Sequence, residues 1–137
     1  MIQKFFIPVI PKAQGRAKFF RRGNFVGAYD DPKSKQYKET FASVLIGMKP
    51  TIAERGTGVS LSLAFFLPRP KNHYGKNGLL PRYADMVHTS TPDLDNLIKA
   101  VKDAAKGILW HDDSQVYRIE ALKVYSNGHA GTKIEME

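Results

Sequence analysis

A chain of 137 residues can bury one real core but is too short for two. Its 42% hydrophobic and 25% charged residues are ordinary for a soluble globular domain, and the lack of cysteine excludes disulfides and thiolate zinc sites. A net charge of +8 and an isoelectric point near 9.7 point to a polyanionic partner.

Residues 2–10 alternate Ile2, Lys4, Phe6 and Pro8 against Gln3, Phe5, Ile7 and Val9, which predicts a first strand that is apolar on both sides. Lys4 and Pro8 interrupt the stretch before a signal-peptide core can form, and no segment approaches transmembrane length. The expected location is the cytoplasm, with no membrane partner.

Residues 11–38 hold eight basic side chains against two acids, Asp30 and Asp31, a balance of +6. Within them Phe19, Phe20, Phe25 and Tyr29 interleave with glycines and cations, predicting a loop and a hairpin that turns at Arg22-Gly23-Asn24. Such a hairpin either stacks on bases while its cations meet phosphates, or buries one aromatic face and leaves a basic face in solvent. Lys12, Arg16, Lys18, Arg21 and Arg22 are the candidate phosphate contacts here.

Asp31-Pro32 starts a helix with a capping acid and a proline in its first turn. Tyr37, Phe41, Val44, Leu45 and Met48 form its core stripe, and Lys49-Pro50 closes it. Val59, Leu61, Leu63 and Phe65 then alternate with small residues in the clearest strand of the chain, stopped by Pro68-Arg69-Pro70. Residues 69–92 form a long polar connection, expected to be mobile without ligand. Arg69, Lys71 and Lys76 add a second set of candidate phosphate contacts.

Apolar residues at 94, 97, 98, 101, 104, 105 and 108 predict an amphipathic helix. Thr91 can cap it with Pro92 at the first helical position, or Asp93 can itself be the cap; Gly107 is a natural stop. Asp93 and Asp95 sit at its start, and Asp112 and Asp113 follow its end, roughly 20 Å away at about 1.5 Å per residue. Ser114–Tyr125 reads as a strand. If it runs antiparallel to the helix, Asp113 stays near the helix C-terminus, so a bent connection through Leu109-Trp110-His111 or a partner chain must bring it to Asp95. Thr132–Glu137 reads as an edge strand paired with 115–125. The sum is an α+β fold: a mixed β-sheet with two main helices packed on it, one domain over 1–137.

Carboxylates at 93, 95, 112 and 113 in a basic protein suggest Mg²⁺, which favours a few carboxylates plus waters and phosphate oxygens. Each also has a structural alternative: Asp93 as a helix cap, Asp112-Asp113-Ser114 as a turn, and Asp95 with Lys99 as a helical ion pair worth a few tenths of a kcal/mol. The histidines show no ligand spacing, and Trp110 reads as a hydrophobic anchor for the turn.

The run Pro92-Asp93-Leu94-Asp95-Asn96-Leu97-x-Lys99-Ala100-x-x-Asp103-Ala104, then Gly107-x-x-Trp110-x-Asp112-Asp113-Ser114-Gln115-Val116, resembles the signature of RusA-type Holliday junction resolvases of bacteria and their phages. The match covers about 25 residues of fixed order. The resemblance implies a RusA-like domain and a homodimeric, Mg²⁺-dependent endonuclease, with Mn²⁺ as an alternative ion, that makes paired nicks in four-way or related branched DNA. It implies Asp93, Asp95 and Asp113 as catalytic metal ligands, Lys99 as the active-site lysine and Asp112 as a supporting acid. It also implies association with the nucleoid while the protein is on DNA. The 69–91 connection departs from the pattern, since His88-Thr89-Ser90-Thr91 stands where arginines directly precede the first acid. The reading from another class is a non-catalytic basic nucleic-acid-binding protein whose acids only cap helices and turns.

Overall fold

The computed structural model describes residues 2–15, 18–29 and 31–137. In chain order the elements are β1 (Gln3–Ile7), β2 (Lys18–Arg22), β3 (Phe25–Tyr29), α1 (Pro32–Gly47), β4 (Val59–Leu67), β5 (Tyr74–Gly75), β6 (Gly78–Leu79), α2 (Leu94–Ala105), β7 (Val116–Tyr125) and β8 (Gly131–Met136). Arg16, one of the candidate phosphate contacts, lies outside the described residues, as does Asp30.

Four strands form one sheet in the order β1-β8-β4-β7, with β4 and β7 parallel and the other neighbours antiparallel. The sheet is therefore mixed and the fold is α+β, as the sequence predicts. Alternation fixes the orientation of β4. Val59, Leu61, Leu63, Phe65 and Leu67 are buried, while Ser60, Ser62, Ala64 and Phe66 between them are half-buried on the other face. Tyr37, Phe41 and Leu45 of α1 and Leu97, Ala100, Val101, Ala104 and Ala105 of α2 complete the core. Each leucine fully buried there contributes about 1.5–3 kcal/mol by leaving water. Met48 does not join the stripe predicted for α1; it is the C-cap residue and is exposed.

The last strand corrects the sequence reading. Residues 131–136 pair with β1 on one side and β4 on the other, so β8 is interior and never meets β7. Thr132, Ile134 and Met136 are buried. β7 instead pairs parallel to β4, which the long crossover through α2 permits. Residues 126–130 are thus no tight hairpin but a passage to the far side of β4. β1 is also shorter than predicted, because Pro8 has no N–H to continue the ladder.

The 69–92 connection carries the short β5–β6 pair and is tied to the end of β7 by side-chain bonds. Arg69 donates to the Ser126 carbonyl at 2.6 Å, the Tyr83 carbonyl at 2.6 Å and the Asn127 side chain. His73 is stacked flat on Tyr83 at 4.1 Å and meets the edge of Tyr125 at 4.8 Å. Val87 then bridges Val124, which covers part of the outer edge of β7. Arg69 accordingly clamps this connection to residues 126–127 at the end of β7.

Candidate active-site groove

Asp93 occupies the N-cap position of α2 with extended backbone, and its side chain makes no capping bond. The cap is therefore Asp93, not Thr91, and Asp95 falls in the first turn. Lys123 of β7 holds the approach to this cap, its ammonium donating to the carbonyls of Ser90 at 2.5 Å and Pro92 at 2.6 Å. From the other side, the Gln14 N–H donates to the Asn96 carbonyl at 3.1 Å, bringing the basic loop after β1 to the head of α2.

At the far end of α2 the chain reverses within a few residues. Gly107 takes a φ of 84°, in the left-handed region open to glycine, and its N–H donates to the Trp110 carbonyl at 2.7 Å. Leu109 and Trp110 are fully buried, so the turn is anchored in the core. Trp110 Nε1 donates to Asp113 Oδ1 at 2.9 Å. Gln115, also buried, accepts from the His111 and Asp112 N–H groups at 2.9 and 3.0 Å and donates to the carbonyls of Glu54 and Thr57 at 2.8 and 3.1 Å. Trp110 thus fixes the Asp113 carboxylate, and Gln115 fixes the backbone of the two residues before Asp113.

This reversal lays Asp113 along the flank of α2 instead of beyond its tip. Asp95, Ile98, Lys99, Lys102, Asp103 and Asp113 line one open groove of about 350 Å³. Asp95 of the first turn of α2 and Asp113 beyond its end therefore share a surface. Asp95 and Lys99 are not paired with each other among the described ion pairs, while Asp103 is held by Lys38 at 3.9 Å.

The other expected acids lie elsewhere. Asp93 lines a neighbouring hollow with Pro11, Lys12, Thr91 and Asn96. Asp112 lines a separate hollow with Arg55, Thr57 and Tyr117. Among the described residues no three His, Asp or Glu side chains gather into a ready-made metal cage. The groove still suits a hard divalent ion, since Mg²⁺ binds through one or two carboxylates and completes its shell with water and substrate phosphate.

The sequence missed three residues. Lys102 lies three residues after Lys99 and seven after Asp95, a spacing that marks the same helix face. Lys123 gave no local signal, because its partners are 31 and 33 residues away, and Gln115 stood in the motif without a role because its carbonyl partners at 54 and 57 lie far back in the chain.

A basic α+β domain with a carboxylate-and-lysine groove beside one helix fits an enzyme that works on phosphodiesters. The chain belongs to the RusA endodeoxyribonuclease family, whose model, described as Endodeoxyribonuclease RusA, matches residues 8–137. It is also similar to a protein of Bacillus subtilis strain 168 named Uncharacterized protein YqaN, with 34% identity over 131 residues, covering 90% of this chain and 87% of the relative.

Proposed function

We propose that the protein is a divalent-metal-dependent endodeoxyribonuclease that cuts four-way and related branched DNA by phosphodiester hydrolysis. One observation carries this reading: Asp95, Asp113, Lys99 and Lys102 line the same groove in a member of this family. Asp95 and Asp113 are the residues that would hold Mg²⁺, or Mn²⁺ in its place. Asp93, the third acid of the family pattern, stands at the head of the same helix. The ion, when bound, supplies an acidified water and neutralises the leaving oxygen.

Lys99 and Lys102 attract the scissile phosphate, and Lys99 stabilises the charge that develops on it as the bond breaks. Trp110 orients Asp113 through its N–H, and Lys123 fixes the backbone ahead of Asp93. Paired cutting needs two such grooves on two strands, so the working form is a homodimer with two-fold symmetry. Among the described residues no helix is long and apolar enough to cross a membrane. We place the enzyme in the bacterial cytoplasm, on the nucleoid while it holds DNA.

A labelled four-way junction, a linear duplex and a single strand, each incubated with and without Mg²⁺, test the proposal. Junction-selective, Mg²⁺-dependent nicking is expected. Junction binding without nicking under any divalent ion leaves a non-catalytic DNA-binding protein as the correct reading.

A further inference from the structure

The hairpin of β2 and β3 has one face that the proposed chemistry does not use. Its register pairs Lys18 with Tyr29, Phe20 with Gly27 and Arg22 with Phe25, and side chains of directly paired residues share a face. That face therefore carries three aromatic rings between two cations. Phe20 lies 5.9 Å from Phe25 and 6.2 Å from Tyr29, so the rings form one cluster. Gly27 makes the cluster possible, because a Cβ there would collide with the Phe20 ring. The Arg22 guanidinium lies 5.9 Å from the Phe20 centroid, and the Lys18 ammonium lies 3.6 Å from Asp31.

The rings are not core. Phe25 is 62% exposed, Tyr29 48% and Phe20 38%. Exposed aromatic clusters of this kind serve as interaction surfaces in soluble domains. Residues 18–29 contain Lys18, Arg21 and Arg22 and no acid, so the ribbon complements a polyanion. Two copies meeting through this face around a two-fold axis would set cation against cation.

We infer that the β2–β3 ribbon is a stacking platform for unpaired nucleotides of single-stranded DNA. Phe20, Phe25 and Tyr29 offer their rings to bases, and Arg22 meets the backbone phosphate beside them. Bases inside a duplex are already stacked, so the platform favours the open strands found where branches meet. The inference rests on the proposed action on branched DNA for its purpose, but its binding chemistry is separate from the groove.

The test measures fluorescence anisotropy of a labelled oligothymidylate of about 16 nucleotides, at the long end of single-strand site sizes, in EDTA so that no cutting occurs. The Phe20→Ala/Phe25→Ala variant is expected to bind the oligonucleotide at least tenfold more weakly at fixed salt, since each lost base stack costs about 1–3 kcal/mol. Its affinity for a duplex of equal length should change less than twofold. Gly27→Ala should weaken single-strand binding by displacing Phe20. Arg22→Gln should lower the slope of log affinity against log salt by about 0.7. Unchanged oligonucleotide binding by the double variant overturns the inference, as does an equal loss for duplex. A dimeric parent with a monomeric double variant overturns it too, assigning the face to a second copy. The nuclease reading is judged apart from this, by whether the wild type nicks junctions once Mg²⁺ is supplied.

Discussion

Asp95→Asn isolates the charge of one groove carboxylate while keeping its shape. Junction cleavage in Mg²⁺ is expected to be abolished while junction affinity in EDTA stays within about twofold; parallel loss of both would deny Asp95 a role in the chemical step. Trp110→Phe separates orientation from packing: it keeps a large ring in the core but removes the N–H that holds Asp113 Oδ1. Cleavage should drop about tenfold or more, with binding retained, and a variant that cuts at the wild-type rate denies the tryptophan this role. Gln115→Ala leaves its backbone partners at 54, 57, 111 and 112 without those bonds, which should cost about 1–3 kcal/mol in urea unfolding. At this scale the sequence named Asp95, Lys99 and Asp113, and all three line one groove. It could not say which hollow each acid lines, because adjacent acids on a chain look alike until the backbone decides which way each one faces.

The helix α2 was legible because its apolar spacing, its cap and Gly107 are local signals that agree with one another. The position of β8 was not, because an alternating strand looks the same at an edge and in the interior. The wrap over β7 was also hidden, since the partners of Arg69 lie up to 58 residues away. Arginine can only donate, so the 3.2 Å contact between Arg69 Nη1 and His73 Nδ1 requires that nitrogen to accept. Burial, and then the Arg69 charge, lower the pKa of His73; burial, and then Lys123, lower that of His88. Both histidines therefore take up a proton less readily in the folded wrap than in the unfolded chain. A histidine whose folded pKa is depressed contributes stability that is present above its unfolded value, about 6.5, and lost as pH falls. The melting temperature should thus fall between pH 7 and pH 5, and His73→Phe should flatten that decline even though its own melting temperature is lower at pH 7. An equally steep decline in the variant would place the pH sensitivity elsewhere.

For the molecule as a whole, the excess positive charge predicts DNA binding that weakens steeply with salt, about 0.9 in logarithmic slope for each phosphate neutralised on duplex. Lys71 and Lys76 are exposed on the wrap, whereas the donors of Arg69 are engaged within the protein. Removing the two lysines should lower the slope by nearly 2 and leave the melting temperature within a degree or two. Arg69→Ala should do the reverse, and a lowered slope for it would return Arg69 to the DNA interface.

The interior position of β8 bears on how the enzyme comes into being on the ribosome. β1 and β4 leave the exit tunnel early, but they are not neighbours in the sheet; the strand that belongs between them is translated more than sixty residues after β4. Until it arrives, each presents an unpaired edge and the floor beneath α2 is missing. Folding cannot be completed element by element as the chain emerges, and a product stalled anywhere before residue 131 lacks the strand that joins β1 to the β4–β7 pair. An interrupted synthesis therefore yields a fragment with open strand edges, prone to aggregation and proteolysis, and not a shortened but folded protein.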